Sequence, residues 1–315
     1  MDERVRDLED KIARLRTAIR AADPNEAYAA AEAAGIAIAF RNTDEEIGLP
    51  PISAKAIRNL NRLRREALAF AAKQGLAQAA VTLAEDALRD GDVDTAVDHY
   101  YAAAKSGDPE TVAKAAELIR RADRNDLAEE MSGYLDVCRE SESGSVEYVR
   151  GLYAFNGFGR KKDLPSALEL HQSAARKGNA DAMFELYAML AQGLGTSVDE
   201  KGSMRWCIKA AKAGNVRAMA NLGGFYATGH GVAKNVKQSV TWYDRAARAG
   251  HGKAAATLGI MFATGADVKQ DPASAREYFS LAEDVGFDWP TMALELGVLN
   301  GAEIELLQQL LGEPD

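Results

Sequence analysis

The chain has 315 residues, 47% hydrophobic and 27% charged, with a formal net charge of -9. That charge opposes the phosphate backbone, which proteins bind by neutralising it with lysine and arginine, so no nucleic acid partner is expected. No run of about 18 apolar residues occurs, so no membrane insertion is expected.

The chain opens Met1-Asp2-Glu3-Arg4, charged where an export signal needs an apolar run. Its cysteines, Cys138 and Cys207, follow no pairing pattern. Both features predict a reducing, cytoplasmic setting. Residues 1–22 form one helix with Val5, Leu8, Ile12, Leu15 and Ile19 spaced three and four apart. That is a short heptad seam, β-branched at a and leucine at d. It either makes a coiled-coil homodimer through the N-terminal helix or packs that helix on its own chain. In a parallel pair Lys11 and Arg16 of facing copies would repel.

Residues 23–75 form a divergent helical region. Asp23-Pro24 ends the first helix, and Asn25 is placed to cap an alanine-rich helix to about Ala39. Arg41 to Pro51 is a polar, proline-ended loop, and Ser53 starts a helix to Lys73. Arg58, Arg62, Arg64 and Arg65 are the densest basic group, read as a solvated surface. Residues 76–144 are degenerate helix hairpins: Asp92, Ala96, Ala103, Ala104 and Gly107 keep the offsets of Asp163, Ala167, Ala174, Ala175 and Gly178. Residues 109–140 hold two more helices, with Asp126 as the cap between them. Glu140 to Ser145 is a polar joint at which a bend is expected.

Residues 145–286 repeat four times. Gly178, Gly214, Gly250 and Gly286 are each 36 residues apart and end Ala-Ala-x-x-Gly runs, the last decayed. Gly157, Gly193, Gly229 and Gly265 form a second column, and Gly159, Gly195 and Gly231 a third that Asp267 breaks. Asp163, Asp199, Asn235 and Asp271 sit where a helix N-cap belongs, and Leu170, Trp206, Trp242 and Tyr278 form a large-residue column. Each unit reads as a leading helix, a Gly-x-Gly loop and a trailing helix. Ala218, Leu222 and Tyr226 (or Phe225) share one face of a leading helix. One hairpin cannot bury such a face alone, so the units must stack, which predicts an all-α solenoid. Residues 287–315 cap the stack, with Pro290 to Gly301 as a fifth leading helix, Leu294 and Gly301 in their columns, and Ala302 to Leu311 as a final helix.

These columns resemble the Sel1-like repeats, relatives of the tetratricopeptide repeats. The resemblance covers residues 146–286 and implies a right-handed stack of helix hairpins that binds proteins rather than an enzyme. By the same resemblance the leading helices line a concave groove. Two polar columns there depart from the packing pattern: Val149, Glu185, Asn221, Thr257 and, seven residues on, Asn156, Gln192, Thr228, Thr264. Tyr148 and Phe184 lie beside them, with Phe184 the better anchor and Tyr148 second. The expected partner-binding set is Tyr148, Asn156, Phe184, Glu185, Gln192, Asn221, Thr228, Thr257 and Thr264. The groove lacks the Lys/Arg clamp that captures acidic C-terminal tails.

No catalytic constellation competes with this reading. His99, His171, His230 and His251 never fall at i and i+3 or i+4, so no helical metal pair exists, and no metal or cofactor is expected. Gly193-Leu194-Gly195-Thr196-Ser197 lacks the Gly-Lys ending of a phosphate loop. Cys207 shares a column with His171, Tyr243 and Phe279 and reads as packing. The sequence therefore predicts a non-enzymatic scaffold or adaptor for a protein partner. The rivals are an inhibitor or immunity-type protein capping one partner, a structural oligomer built by the heptads, and an enzyme with its site in the first 140 residues.

Overall fold

The computed structural model describes residues 3–39 and 54–312, and all elements among them are α-helices. They are α1 (Glu3–Ala21), α2 (Pro24–Ala39), α3 (Ala54–Lys73), α4 (Ala77–Arg89), α5 (Val93–Ala104), α6 (Pro109–Arg121), α7 (Asn125–Val137), α8 (Ser145–Asn156), α9 (Leu164–Arg176), α10 (Ala180–Gln192), α11 (Glu200–Lys212), α12 (Val216–Thr228), α13 (Val236–Arg248), α14 (Gly252–Thr264), α15 (Pro272–Asp284), α16 (Trp289–Glu295) and α17 (Gly301–Gly312). The expected loop at Arg41–Pro51 and start at Ser53 lie outside the described residues. The chain forms two compact units, one of residues 1–141 and 152–162, the other of residues 142–151 and 163–315.

In the first unit, α1 packs on α2 and α3. Leu15 is fully buried, with Ile12 and Ile19 packed around the same cluster. The described part of the heptad seam is thus spent inside the chain. Van der Waals packing on Ala27, Ala31 and Leu60 replaces the contacts a second copy would supply. The cap of α2 is Asp23, not Asn25: its Oδ1 accepts from Asn25 N at 2.8 Å and Glu26 N at 3.2 Å. Asp126 is likewise not a cap. It lies inside α7, whose N-cap position is Arg124, and it accepts from Arg124 Nη2 at 2.8 Å. Three of the four clustered arginines are paired: Arg62 with Glu66, Arg64 with buried Asp86, and Arg65 with Asp90.

In the second unit each helix from α9 to α15 packs on the next. The predicted caps are present: Asp163, Asp199, Asn235 and Asp271 accept from the backbone of Ser166, Gly202, Gln238 and Ser274. A second set of caps was not legible as a column. Asn179, Asn215 and the His251 ring accept from Ala182, Ala218 and Ala254 N at the start of α10, α12 and α14. The C-terminal expectation needs correction. α16 spans seven residues, because Gly297 turns left-handed (φ 62°) and stops it. Leu294 is 52% exposed, and Gly301 opens the last helix instead of closing a fifth repeat.

The loop columns have two physical causes. Gly195 and Gly231 hold φ near +75° and +67°, and Asp267 adopts φ +62° at the same position, a region aspartate tolerates better than most residues. Space separates the two glycines. A Cβ on Gly195 would lie 2.5 Å from Leu164 O, which is fixed backbone, while on Gly231 it would meet Met204 Cε, the tip of a flexible chain. Gly195→Ala is expected to cost about 3 kcal/mol and Gly231→Ala about 1 kcal/mol. Paired urea melts decide this, and equal costs would mean that the left-handed backbone alone selects glycine.

Packing within each hairpin follows a size rule. Gly151 faces His171, Gly223 faces Tyr243 and Gly259 faces Phe279, with an added Cβ at 2.5, 2.8 and 2.6 Å from those rings. In the second repeat the sizes are exchanged. Tyr187 occupies the glycine column and packs beside Cys207, which occupies the ring column.

Candidate partner-binding face

The leading helices α10, α12 and α14 are each thirteen residues long, and each ends at a left-handed glycine: Gly193, Gly229 and Gly265. Equal length and equal capping place the same sequence columns on the same face. The size exchange then gives this face its chemistry. With Cys207 beneath it, the Tyr187 ring joins a series of rings on α10 and α12. It lies 5.5 Å from Phe184 and 6.2 Å from Phe225, and Phe225 lies 5.4 Å from His230.

Beside these rings is a cleft of about 810 Å³. Tyr187, Phe225 and Tyr243 form its apolar walls, and Ala220, Gly224 and Ala254 its small-residue floor. Gly224 matters because the other three repeats carry Leu152, Ala188 and Ile260 in that column. Without a side chain there, the space above α12 stays open.

The rim is polar. Thr228 Oγ1 donates to Gly224 O at 3.0 Å and Thr257 Oγ1 to Lys253 O at 2.8 Å. Both hydroxyl protons are spent on their own helices, so these oxygens face a ligand as acceptors. His251 Nδ1 accepts from Ala254 N at 3.1 Å, which leaves the ring proton on Nε2. Burial pushes the pKa of His251 down, so the ring is neutral at pH 7. Burial raises the pKa of the Tyr187 phenol.

Of the expected binding residues, the cleft collects Asn221, Thr228 and Thr257. Phe184 and Glu185 stand at its α10 side and are already occupied. The Arg217 guanidinium lies 4.2 Å from the Phe184 ring centre and 3.1 Å from Glu185 Oε1. Tyr148 is no exposed anchor: it is 8% exposed and packs against His171, the two rings tilted with centres 5.8 Å apart. Val149, which heads the first column, is buried as well. Asn156 donates to Leu152 O at 2.8 Å, and Thr264 to Ile260 O at 2.8 Å. Gln192 is exposed. None of these last three lines the cleft. Sequence reasoning missed Tyr187 and Gly224 and read Phe225 only as an alternative to Tyr226 on the packed face. The available signal was paired: a tyrosine where the repeat carries glycine, and 20 residues later a small cysteine where it carries a ring.

The titratable groups nearby are poor catalysts. Burial pushes the Cys207 thiol up to about 12 and His171 down to about 4, so both are neutral at pH 7. Among the described residues no cluster of three His, Cys, Asp or Glu side chains could hold a metal. A cleft of about 730 Å³ in the first unit is lined by Arg64, Asp86, Arg65 and Asp90, charges paired with one another.

Stacked, equally capped helix hairpins of fixed period define an α-solenoid repeat protein. The family described as Sel1 repeat matches residues 147–179, 180–215, 216–251 and 252–287. This stretch is a run of four Sel1 repeats, a class that generally mediates protein–protein interaction. Among solved structures, the chain is similar to a Sel1 repeat protein from Oxalobacter formigenes, with 27% identity, 55% of this chain and 70% of that chain covered, and a TM-score of 0.49. It is also similar to a protective antigen of uropathogenic Escherichia coli strains displaying an SLR fold: 18% identity, 94% and 85% covered, TM-score 0.45. An immunity protein from Pseudomonas aeruginosa matches at 20% identity over 76% of this chain and 86% of that one, with a TM-score of 0.45. No curated protein matches the chain. Among the described residues no helix is long and apolar enough to cross a membrane.

Proposed function

We propose that this chain is a non-enzymatic scaffold or adaptor that holds a protein partner on the leading helices of its second, third and fourth repeats. The observation that carries this reading is the cleft at Gly224, with three aromatic walls and a polar rim on a face that the repeat packing leaves open. Aromatic side chains around a small concave site are where interface energy concentrates. The two unpatterned cysteines support a reducing compartment, the cytoplasm, as its place of action.

Gly224→Ile tests the site. It installs the residue that the fourth repeat carries at Ile260. An added Cβ meets only the Tyr243 hydroxyl, at 3.2 Å, and the helix gains propensity, so stability is expected to change by less than about 1 kcal/mol. Partner capture from the native host, quantified by mass spectrometry, is expected to fall at least about tenfold for the true partner, a loss of about 1.4 kcal/mol. A partner held equally by both proteins would move the site to the loops or to the first unit.

A further inference from the structure

We infer that the cleft receives an extended segment of the partner protein that sets an acidic side chain, held opposite Lys253, next to a bulky apolar side chain seated over Gly224. This rests on the binding face proposed above. Three observations support it.

The first is charge. The protein carries 47 Asp and Glu residues, yet none lines this cleft. α12 and α14 each bear one cation and no carboxylate: Arg217 and Lys253. Arg217 is engaged by Glu185 and the Phe184 ring, whereas Lys253 makes no ion pair among the described residues and is exposed at the rim. The cleft is therefore a locally cationic spot on a protein of net charge -9, which selects for a carboxylate.

The second is the donor and acceptor pattern. Lys253 and His251 Nε2 offer protons, while Thr228 and Thr257 offer lone pairs because their own protons are spent. A peptide supplies both complements, an acid group for the donors and backbone N–H groups for the acceptors. The third is shape. The open space over Gly224, walled by Tyr187, Phe225 and Tyr243, suits one apolar side chain. One flexible lysine is a point charge, not the fixed pair of cations that clamps a chain-terminal carboxylate, so an internal acidic residue is the better occupant.

The test uses the full chain and a randomised heptapeptide library, acetylated and amidated so that no peptide has a free end. Wild type is expected to enrich peptides with Asp or Glu one or two positions from a large apolar residue. Lys253→Glu should lower affinity for a selected acidic peptide about fivefold at low salt, with the difference shrinking as salt rises, and should shift enrichment toward Lys and Arg. Gly224→Ile should remove enrichment altogether. Peptides enriched without an acidic preference, or an acidic preference that survives in Lys253→Glu, overturn this inference and leave the binding face standing. Enrichment that persists unchanged in Gly224→Ile overturns both. Circular dichroism of each variant confirms that the helices remain.

Discussion

Trp242→Ala is expected to destabilise the second unit by about 3–5 kcal/mol, the range for removing a large buried side chain. The indole is 7% exposed and closes the cluster of Cys207, Ala210, Ala211, Ala218 and Leu222, where α11, α12 and α13 meet. Small residues dominate the buried part of that cluster, and partial movement of the half-buried Met183 and Met219 beside it sets the lower end of the range. The Arg245 guanidinium, 4.8 Å from the ring centre, would lose its aromatic partner as well. In a linear stack each repeat leans on its neighbours, so the loss should spread through the repeat array. His230→Ala, at an exposed loop position, should stay within about 0.5 kcal/mol. Urea melts of both variants, followed by helical circular dichroism, measure the contrast. Similar losses would show that the tryptophan column does not hold the stack.

The size exchange leads to an equally large effect with a built-in control. Gly223→Tyr places a ring where even a methyl carbon would sit 2.8 Å from Tyr243, so a loss of at least about 3 kcal/mol is expected. Adding Tyr243→Cys copies the second repeat, where Tyr187 and Cys207 share the same space. The double variant should recover at least half of the loss. That recovery is a favourable coupling of about 2 kcal/mol in a double-mutant cycle, the scale expected of directly packed residues. If the two losses simply add, the exchange is a coincidence of sequence. A recovered double variant would exchange the Tyr243 wall of the cleft for a ring on α12, so its effect on peptide binding would report whether the cleft needs the ring on α13.

The helices, their period and the trailing-helix caps were legible because they depend on local interactions. Asp163, Asp199, Asn235 and Asp271 each satisfy backbone N–H groups two or three residues away, and left-handed Gly193, Gly229 and Gly265 end the leading helices. Stacking was legible too, since a 36-residue unit with one apolar face has no other way to bury it. What surrounds each face was not legible. Leu15 read either as part of a coiled-coil seam or as packed on its own chain, and its own α2 and α3 bury it. Tyr148 read as an anchor, and His171 covers it. Phe184 read as the better anchor, and Arg217, 33 residues further along the chain, lies over its ring. The cleft exists because Gly224, Tyr187 and Tyr243 come from three different helices. Exposure is a property of what packs alongside a residue, and those neighbours are chosen by tertiary packing rather than by the spacing along one helix.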